Sequence, residues 1–233
     1  MKNILSFALL MIAGLSLAQN SKQIQYAGYL NASKTMWERS IKLAEMEDGD
    51  KSFEKALAMY GLLNNTMATQ DEATFEEYVG PTTDLLKEII DENPGHGEAH
   101  AVLSSVYGLV MAYSPMKGML YGMKSSSLMD KALRLSPDSP LVQKLYGGSK
   151  LYTPEMFGGD SKQAIEAFTN AIELFEKGDV EDNWLYMDTH MGLALAYNKV
   201  KENEKAEEIL EKAILMEPQY HWAKATLAEI KKL

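Results

Sequence analysis

The chain has 233 residues and no cysteine, which excludes disulfide bonds, thiol catalysis and a lipid anchor on an N-terminal cysteine. Two sequence motifs of hydrolases, G-x-S-x-G and H-E-x-x-H, are missing as well. Packing alone must stabilise the fold, and the 46% content of hydrophobic residues is enough for a sizeable core. We therefore expect a protein that is not an enzyme and has neither a cofactor nor a resident metal.

Basic residues are few relative to acidic ones. The chain has 23 lysines and arginines and 33 aspartates and glutamates, which gives a net charge of −10. A chain of this charge repels the phosphate backbone of nucleic acids, and it shows no basic stripe with interleaved aromatics. We expect no nucleic-acid partner. On the same grounds the overall charge disfavours an anionic membrane surface.

A long apolar run occurs only at the start of the chain, from Ile4 to Leu17, and it ends in small residues up to Ala18. It is shorter than the roughly 20 apolar residues that a spanning helix needs. This pattern predicts a signal peptide over residues 1–18, cleaved before Gln19. The protein would then be exported, periplasmic or secreted, and not a lipoprotein; the alternative is an uncleaved membrane anchor.

Small and apolar residues recur at helical spacing in the segment Asp188–Pro218. In chain order they are His190, Leu193, Ala194, Tyr197, Ala206, Leu210, Ala213 and Pro218. A similar pattern begins again six residues after each of three prolines. The three pairs are Pro94 and His100, Pro137 and Gln143, and Pro218 and Lys224. Strand signals are nearly absent, so the spacing predicts repeated pairs of helices.

The segment Asp188–Pro218 resembles the tetratricopeptide repeat (TPR) family, whose pattern is W-x2-L-G-x2-Y…A-x3-F…P. Here His stands in place of Trp, Ala in place of Gly and Leu in place of Phe. The resemblance implies an all-α, right-handed α-solenoid of antiparallel helix pairs, with about four to five repeats over residues 81–233. It also implies a protein that binds other proteins.

The region 19–80 fits the repeat pattern less well and predicts N-terminal helices, as either a divergent repeat or a cap. These helices cover Ala32–Glu47, Lys51–Met67 and Asp71–Val79. The pair Gly80-Pro81 predicts a break after the last of them, because proline lacks the backbone N–H that a helix interior needs.

Two repeats are longer than the family pattern. Nine residues separate Tyr197 from Ala206, whereas the corresponding separations exceed this by nine and by five in the two preceding repeats. We expect enlarged turns within these repeats, on one edge of the solenoid. Their notable side chains are Tyr113, Met116, Met119, Tyr121 and Phe157. They form either a small satellite core or a lid over an apolar ligand pocket.

By the resemblance, the first helix of each repeat lines a concave partner-binding groove. The groove residues would be Lys144, Tyr152, Asp188, Met191, Leu195, Asn198, Lys199 and Trp222. The family's peptide clamp grips a C-terminal carboxylate with Lys, Arg and Asn, and Lys144, Asn198 and Lys199 are of the right types. Leu195 stands where the clamp has a second Asn, so we favour an extended or helical segment as the ligand.

Two further clusters suggest metal binding but have plainer interpretations. Methionines 116, 119 and 123 are thioether ligands of the kind that Cu(I) prefers, yet methionine is also a common gap-filler of helical cores. His96 and His100 are four residues apart, but His96 lies in a predicted turn, and His100 and His190 occupy the helix-seam position of the family's Trp. We interpret these histidines as structural.

Two functional hypotheses follow. The first is a non-catalytic protein–protein interaction module, a scaffold or adaptor of the bacterial cell envelope. The second is a periplasmic protein that binds a small apolar ligand beneath the enlarged turns and serves a transporter.

Overall fold

The computed structural model describes residues 20–46 and 52–232, and this part of the chain is built of α-helices without any strand. The predicted signal peptide lies outside the described residues. The eleven described α-helices are α1 (Ser21–Leu30), α2 (Lys34–Met46), α3 (Ser52–Thr69), α4 (Glu72–Glu92), α5 (Gly97–Tyr113), α6 (Gly118–Leu135), α7 (Pro140–Tyr152), α8 (Ser161–Phe175), α9 (Trp184–Lys199), α10 (Asn203–Met216) and α11 (His221–Ile230). Short 3-10 turns cover Pro115–Lys117 and Glu155–Phe157.

Helices α3 to α10 form four antiparallel pairs, and α11 packs on the last of them. Within the stack, α3 contacts α5, α5 contacts α7, and α7 contacts α9, so the first helices of successive repeats lie side by side. This arrangement confirms the predicted α-solenoid. The hairpin of α1 and α2 packs on α3, and α1 also reaches α9. Among the described helices, none has the length and apolarity that crossing a membrane requires.

Glycines let the first helices approach the second helices closely. The ring of Phe168 in α8 lies between Gly147 of α7 and Gly192 of α9. A Cβ atom added at these glycines would lie 2.9 Å and 2.6 Å, respectively, from that ring. Because real Cβ contacts are longer, these two positions require glycine in the present packing.

Side-chain caps fix where several helices begin. Ser139 accepts a hydrogen bond from the Val142 N–H and is followed by Pro140 at the first helical position. Asp160 accepts from two backbone N–H groups at the start of α8 and from the Gln163 side chain. Both helix starts carry a local sequence signal, an N-cap residue followed by proline and an Asp-x-x-Gln capping box.

The predicted break at Gly80-Pro81 is wrong, because α4 continues through it from Glu72 to Glu92. Both residues lie on the exposed side of the helix, where the backbone carbonyl freed by the proline faces solvent. The Thr82 hydroxyl also bonds the Tyr78 carbonyl at 2.7 Å, which supports the helix at this point. The boundary that we placed between residues 80 and 81 therefore lies inside a helix.

The prediction of an enlarged turn between α5 and α6 is also wrong. Helices α5 and α6 have 17 and 18 residues, against 16 and 14 in α9 and α10, and only residues 114–117 connect them. The extra residues lengthen the helices instead of the turn. The second enlarged turn is present, because residues 153–160 separate α7 from α8.

Candidate partner-binding groove

A buried ion pair lies where α7 meets α9. The Lys144 ammonium is 2.6 Å from the Asp188 carboxylate, and Lys144 is only 7% exposed. The rings of Tyr60 and Trp184 each lie 5.9 Å from the same ammonium. Burial is the largest single influence and would lower the pKa of Lys144, but the charge and hydrogen bond of Asp188, together with Tyr60 and Tyr152, raise the pKa above its ordinary value. Lys144 is therefore charged throughout the physiological pH range.

The Asp188 carboxylate also binds α1. It accepts a hydrogen bond from the Tyr29 hydroxyl at 2.9 Å, and that hydroxyl also bonds the hydroxyl of Tyr220, which precedes α11. The Tyr29 ring lies 5.7 Å from the rings of both Trp184 and Tyr220. Burial, and then the Asp188 charge, raise the pKa of Tyr29 and of Tyr220 well above their ordinary values. The phenols are therefore neutral and remain available as hydrogen-bond donors.

Three more contacts hold α1 against this surface. The Trp184 indole donates to the Gln25 amide oxygen at 3.2 Å. The Tyr26 hydroxyl donates to Glu217 at 3.3 Å, and Lys22 forms an ion pair with Asp179 at 2.8 Å. We call the surface that faces α1 the groove; its residues are Asp179, Trp184, Asp188, Glu217 and Tyr220, with Lys144 of α7 paired to Asp188. Its occupant in this structure is a helix of the same chain.

The structure brings together only some of the predicted groove residues. Lys144 and Asp188 form the ion pair. Both charges act on the Tyr152 hydroxyl, and the Tyr152 side chain is largely exposed. Trp222 is exposed, and Leu195 and Asn198 are half-buried. Met191, also predicted to line the groove, is fully buried, because α9 is enclosed by α7, α8, α10 and α1.

Two of the three predicted clamp residues, Lys144 and Lys199, already have partners. The Lys199 ammonium donates to the Leu151 carbonyl at 2.7 Å and so ties the end of α9 to the end of α7. Lys144 is neutralised by Asp188. A C-terminal carboxylate would have to displace both partners. The geometry therefore agrees with the sequence argument against carboxylate capture.

The predicted lid residues divide into two sets. The Tyr113 hydroxyl donates to Thr66 at 2.9 Å and its ring stacks 4.0 Å from Phe75, while the Tyr121 ring lies 4.8 Å from that of Tyr107. These two tyrosines pack into the solenoid, in agreement with the satellite-core interpretation. Met116 and Phe157 instead project into solvent. Met119 lies in α6, with its side chain outside the described part of the structure.

A small cleft of about 160 Å³ lies between α4, α5 and α6. Aromatic and aliphatic side chains form most of its walls, and polar ones stand at its rim. The lining residues are Phe75, Glu76, Val79, Gly80, Thr83, Asp84, Tyr107, Val110, Lys117 and Tyr121. Tyr121 thus borders an apolar cleft, but not the one predicted beneath two adjacent turns.

The histidines bond to the backbone. His96 Nδ1 accepts from the Ala99 N–H at the start of α5, and His100 Nε2 donates to the Pro94 carbonyl. His190 Nδ1 donates to the Tyr186 carbonyl, and burial lowers the pKa of both His100 and His190. In the described ranges no group of three or more His, Cys, Asp or Glu side chains is placed to hold a metal ion.

The sequence analysis did not predict α1, the helix that contacts the groove. Our first predicted helix began at Ala32, whereas α1 begins at Ser21. One signal was available: Asn20 is a good N-cap residue, and its side chain accepts from the Gln23 N–H at 2.9 Å. Tyr26 and Tyr29, three residues apart, then share one face of the helix.

Comparison with known proteins agrees with this geometry. Residues 188–220 match the family model of the tetratricopeptide repeat. The chain carries a tetratricopeptide repeat. This match covers α9 and α10, the helices whose sequence suggested the family, and it confirms the resemblance. A search of curated proteins finds no sequence match.

Two solved structures are similar to this chain over most of its length. TTC0263, a thermophilic TPR protein in Thermus thermophilus, has a TM-score of 0.59 and 19% identity, and the match covers 91% of this chain and 96% of that one. The HusA haemophore from Porphyromonas gingivalis has a TM-score of 0.57 and 17% identity, and the match covers 76% of this chain and 92% of that one. At these identities the likeness establishes a shared fold.

Proposed function

We propose that this TPR protein is a non-catalytic protein–protein interaction module, a scaffold or adaptor of the bacterial cell envelope, and that its groove binds a helical segment of a partner in place of α1. TPR folds commonly bind proteins, and a groove that already holds a helix has the dimensions and chemistry for one. The observation that carries the proposal is the docking of α1 against α9 and α11 through Tyr29 and Asp188.

The charges of the groove favour a particular kind of helix. Three groove carboxylates meet α1, namely Asp179, Asp188 and Glu217, whereas α1 offers them one ammonium and two phenols. Lys144 offsets one of the carboxylates. A partner helix that carries lysine or arginine together with tyrosine therefore complements this surface better than an acidic one.

The envelope location rests on the N-terminal sequence. Cleavage before Gln19 would leave α1, which starts at Ser21, close to the new N-terminus. N-terminal sequencing of the protein from a fractionated host tests this part of the proposal. A cytoplasmic chain that still begins with Met1 would contradict it.

Photo-cross-linking tests the groove itself. A photoreactive phenylalanine analogue replaces Tyr152, an exposed aromatic residue beside the ion pair, and the protein is irradiated in its own host. The matched control carries the analogue at Glu208, an exposed residue of α10. We expect a defined protein adduct from position 152 and none from position 208. Equal cross-linking at both positions, or none at 152, would refute the groove as the binding site.

The cleft between α4, α5 and α6 favours a second candidate function, the binding of a small apolar ligand. Its volume of about 160 Å³ is close to that of cavities known to hold a benzene-sized molecule. It is too small for a porphyrin, so the likeness to a haemophore does not lead us to propose haem as the ligand. Native mass spectrometry of the protein purified gently from its host would show such a ligand as added mass. Tyr121→Ala is expected to remove the added mass and Phe157→Ala to retain it; the opposite result would contradict this site.

A further inference from the structure

The most exposed apolar side chains gather on one edge of the solenoid. Six large hydrophobic side chains in the described part are more than 70% exposed, and four of them lie where the two helices of a repeat are joined. These four are Met116 (95%), Met123 (81%), Met156 (82%) and Phe157 (72%). The other two, Met46 and Leu215, lie at helix ends on the opposite edge. Surface methionines and phenylalanines scattered at random would not favour one edge.

The four side chains belong to neighbouring turns. The 3-10 turn Pro115–Lys117 joins α5 to α6, and the 3-10 turn Glu155–Phe157 lies between α7 and α8. Because α5 packs beside α7, both turns emerge on the same edge of the stack. We call this the methionine edge, defined by Met116, Met123, Met156 and Phe157.

These side chains protrude from turns and from the first turns of α6, and each of them is 72–95% exposed. A folded protein partner would need a separate pocket for each protruding side chain. The interface of a lipid bilayer is deformable and accepts separate apolar side chains among its headgroups. The shape of the methionine edge therefore fits a lipid surface better than a rigid partner.

The charge of this region is opposite to that of the whole chain. Residues 114–160, which include both turns and the helices between them, contain six lysines and arginines and four acidic residues, a net charge of +2, whereas the chain carries −10. One of the four acids, Glu155, lies in the second turn itself. Lys117 and Lys124 stand exposed beside Met116 and Met123. Attraction between lysines and anionic headgroups acts within a Debye length, so local charge matters more than the total. The overall charge therefore does not exclude an anionic membrane at this edge.

We propose that the methionine edge docks the protein on an anionic lipid surface as a peripheral protein. Met116, Met123, Met156 and Phe157 insert among the headgroups, while Lys117 and Lys124 face the phosphates. The groove lies on α9 and on the segments that precede α9 and α11, and none of its residues belongs to the methionine edge. The two proposals can therefore fail independently.

Sedimentation with vesicles tests the insertion. The protein purified from its own host is mixed with vesicles of phosphatidylglycerol and phosphatidylcholine in equal amounts, and with vesicles of phosphatidylcholine alone. We expect binding to the anionic vesicles. Met123→Asp combined with Phe157→Asp is expected to weaken it about 100-fold, since burying each apolar side chain contributes about tenfold. The matched control, Leu215→Asp, changes an equally exposed residue on the opposite edge and is expected to leave binding unchanged.

The charge contribution is tested in parallel. Lys117→Glu with Lys124→Glu is expected to reduce binding to anionic vesicles, and the wild-type protein to lose binding as salt rises. Lys177→Glu, on the opposite edge, is the charge control. An absence of binding to anionic vesicles would overturn the proposal, and so would equal losses in the Leu215→Asp control. Capture of an envelope protein through the methionine edge, without lipid binding, would overturn it as well and identify the edge as a protein interface.

Discussion

The Asp188→Ala substitution is expected to destabilise the protein strongly. It removes the carboxylate that lies 2.6 Å from the ammonium of Lys144 and accepts the hydroxyl of Tyr29. Lys144 is 7% exposed and would keep a buried charge without this partner. Breaking one side of a buried ion pair costs about 3–5 kcal/mol, of which the lost hydrogen bond from Tyr29 represents about 1 kcal/mol.

Thermal unfolding followed by circular dichroism at 222 nm measures this cost. For a chain of this size each kcal/mol lowers the midpoint by about 2–4 °C, so the expected decrease is about 6–20 °C. The control is Asp84→Ala, which breaks the exposed ion pair with Lys87 at 3.4 Å and is expected to cost less than about 1 kcal/mol.

A double variant distinguishes the ion pair from general damage to the groove. Removing both charges with Lys144→Met and Asp188→Leu leaves no unpaired buried charge and is expected to recover most of the lost stability. Two results would refute the reasoning: an Asp188→Ala protein within about 1 kcal/mol of wild type, or a double variant no more stable than Asp188→Ala.

Two further predictions concern packing and alkaline pH. Gly147→Ala places a Cβ atom 2.9 Å from Phe168 and is expected to destabilise by about 1–3 kcal/mol. Gly148→Ala meets nothing within 4 Å and is expected to stabilise by about 1 kcal/mol, so equal effects in chemical denaturation would contradict the packing. Burial and the Glu217 charge raise the pKa of Tyr26 from 10.0 to about 12. The fold thus favours the protonated phenol, and its contribution to stability is complete below pH 10 and lost as pH rises toward 12. Denaturation curves between pH 9 and 12 are expected to show a smaller loss for Tyr26→Phe, and identical curves would contradict the role of this phenol.

The repeats were predictable because their signals are local. Each helix pair carries its own small residues, caps and closing proline within a few dozen positions. The same local reasoning failed for the α5–α6 pair, because residue spacing reveals an excess but not its location. Gly118, Met119 and Gly122 resembled a loop, yet they lie in the first turns of α6. Leu128 and Met129 pack into the core further along that helix and keep it continuous.

The sequence predicted residues of the groove but not the helix that occupies it. Lys144 and Asp188 lie on helices of adjacent repeats, so the family register places them together. The Tyr29 contact joins residues 159 positions apart, and the Tyr26 contact joins residues 191 positions apart. A single sequence carries no information on such pairing. The polar character of Gln25, Tyr26 and Tyr29 also hid the fact that α1 has a docking face.

The attachment of α1 to α9 and to Tyr220 alters how this repeat array unfolds. In a linear array each repeat contacts only its neighbours, so either end can fray without affecting the other. Here α1, the first described helix, is fastened to α9 and to Tyr220 before α11, so loosening α11 removes one of the contacts that hold α1. The ends are therefore expected to open together, with similar hydrogen-exchange protection in α1 and α11. Refolding must also wait for a long-range closure that a simple solenoid does not have.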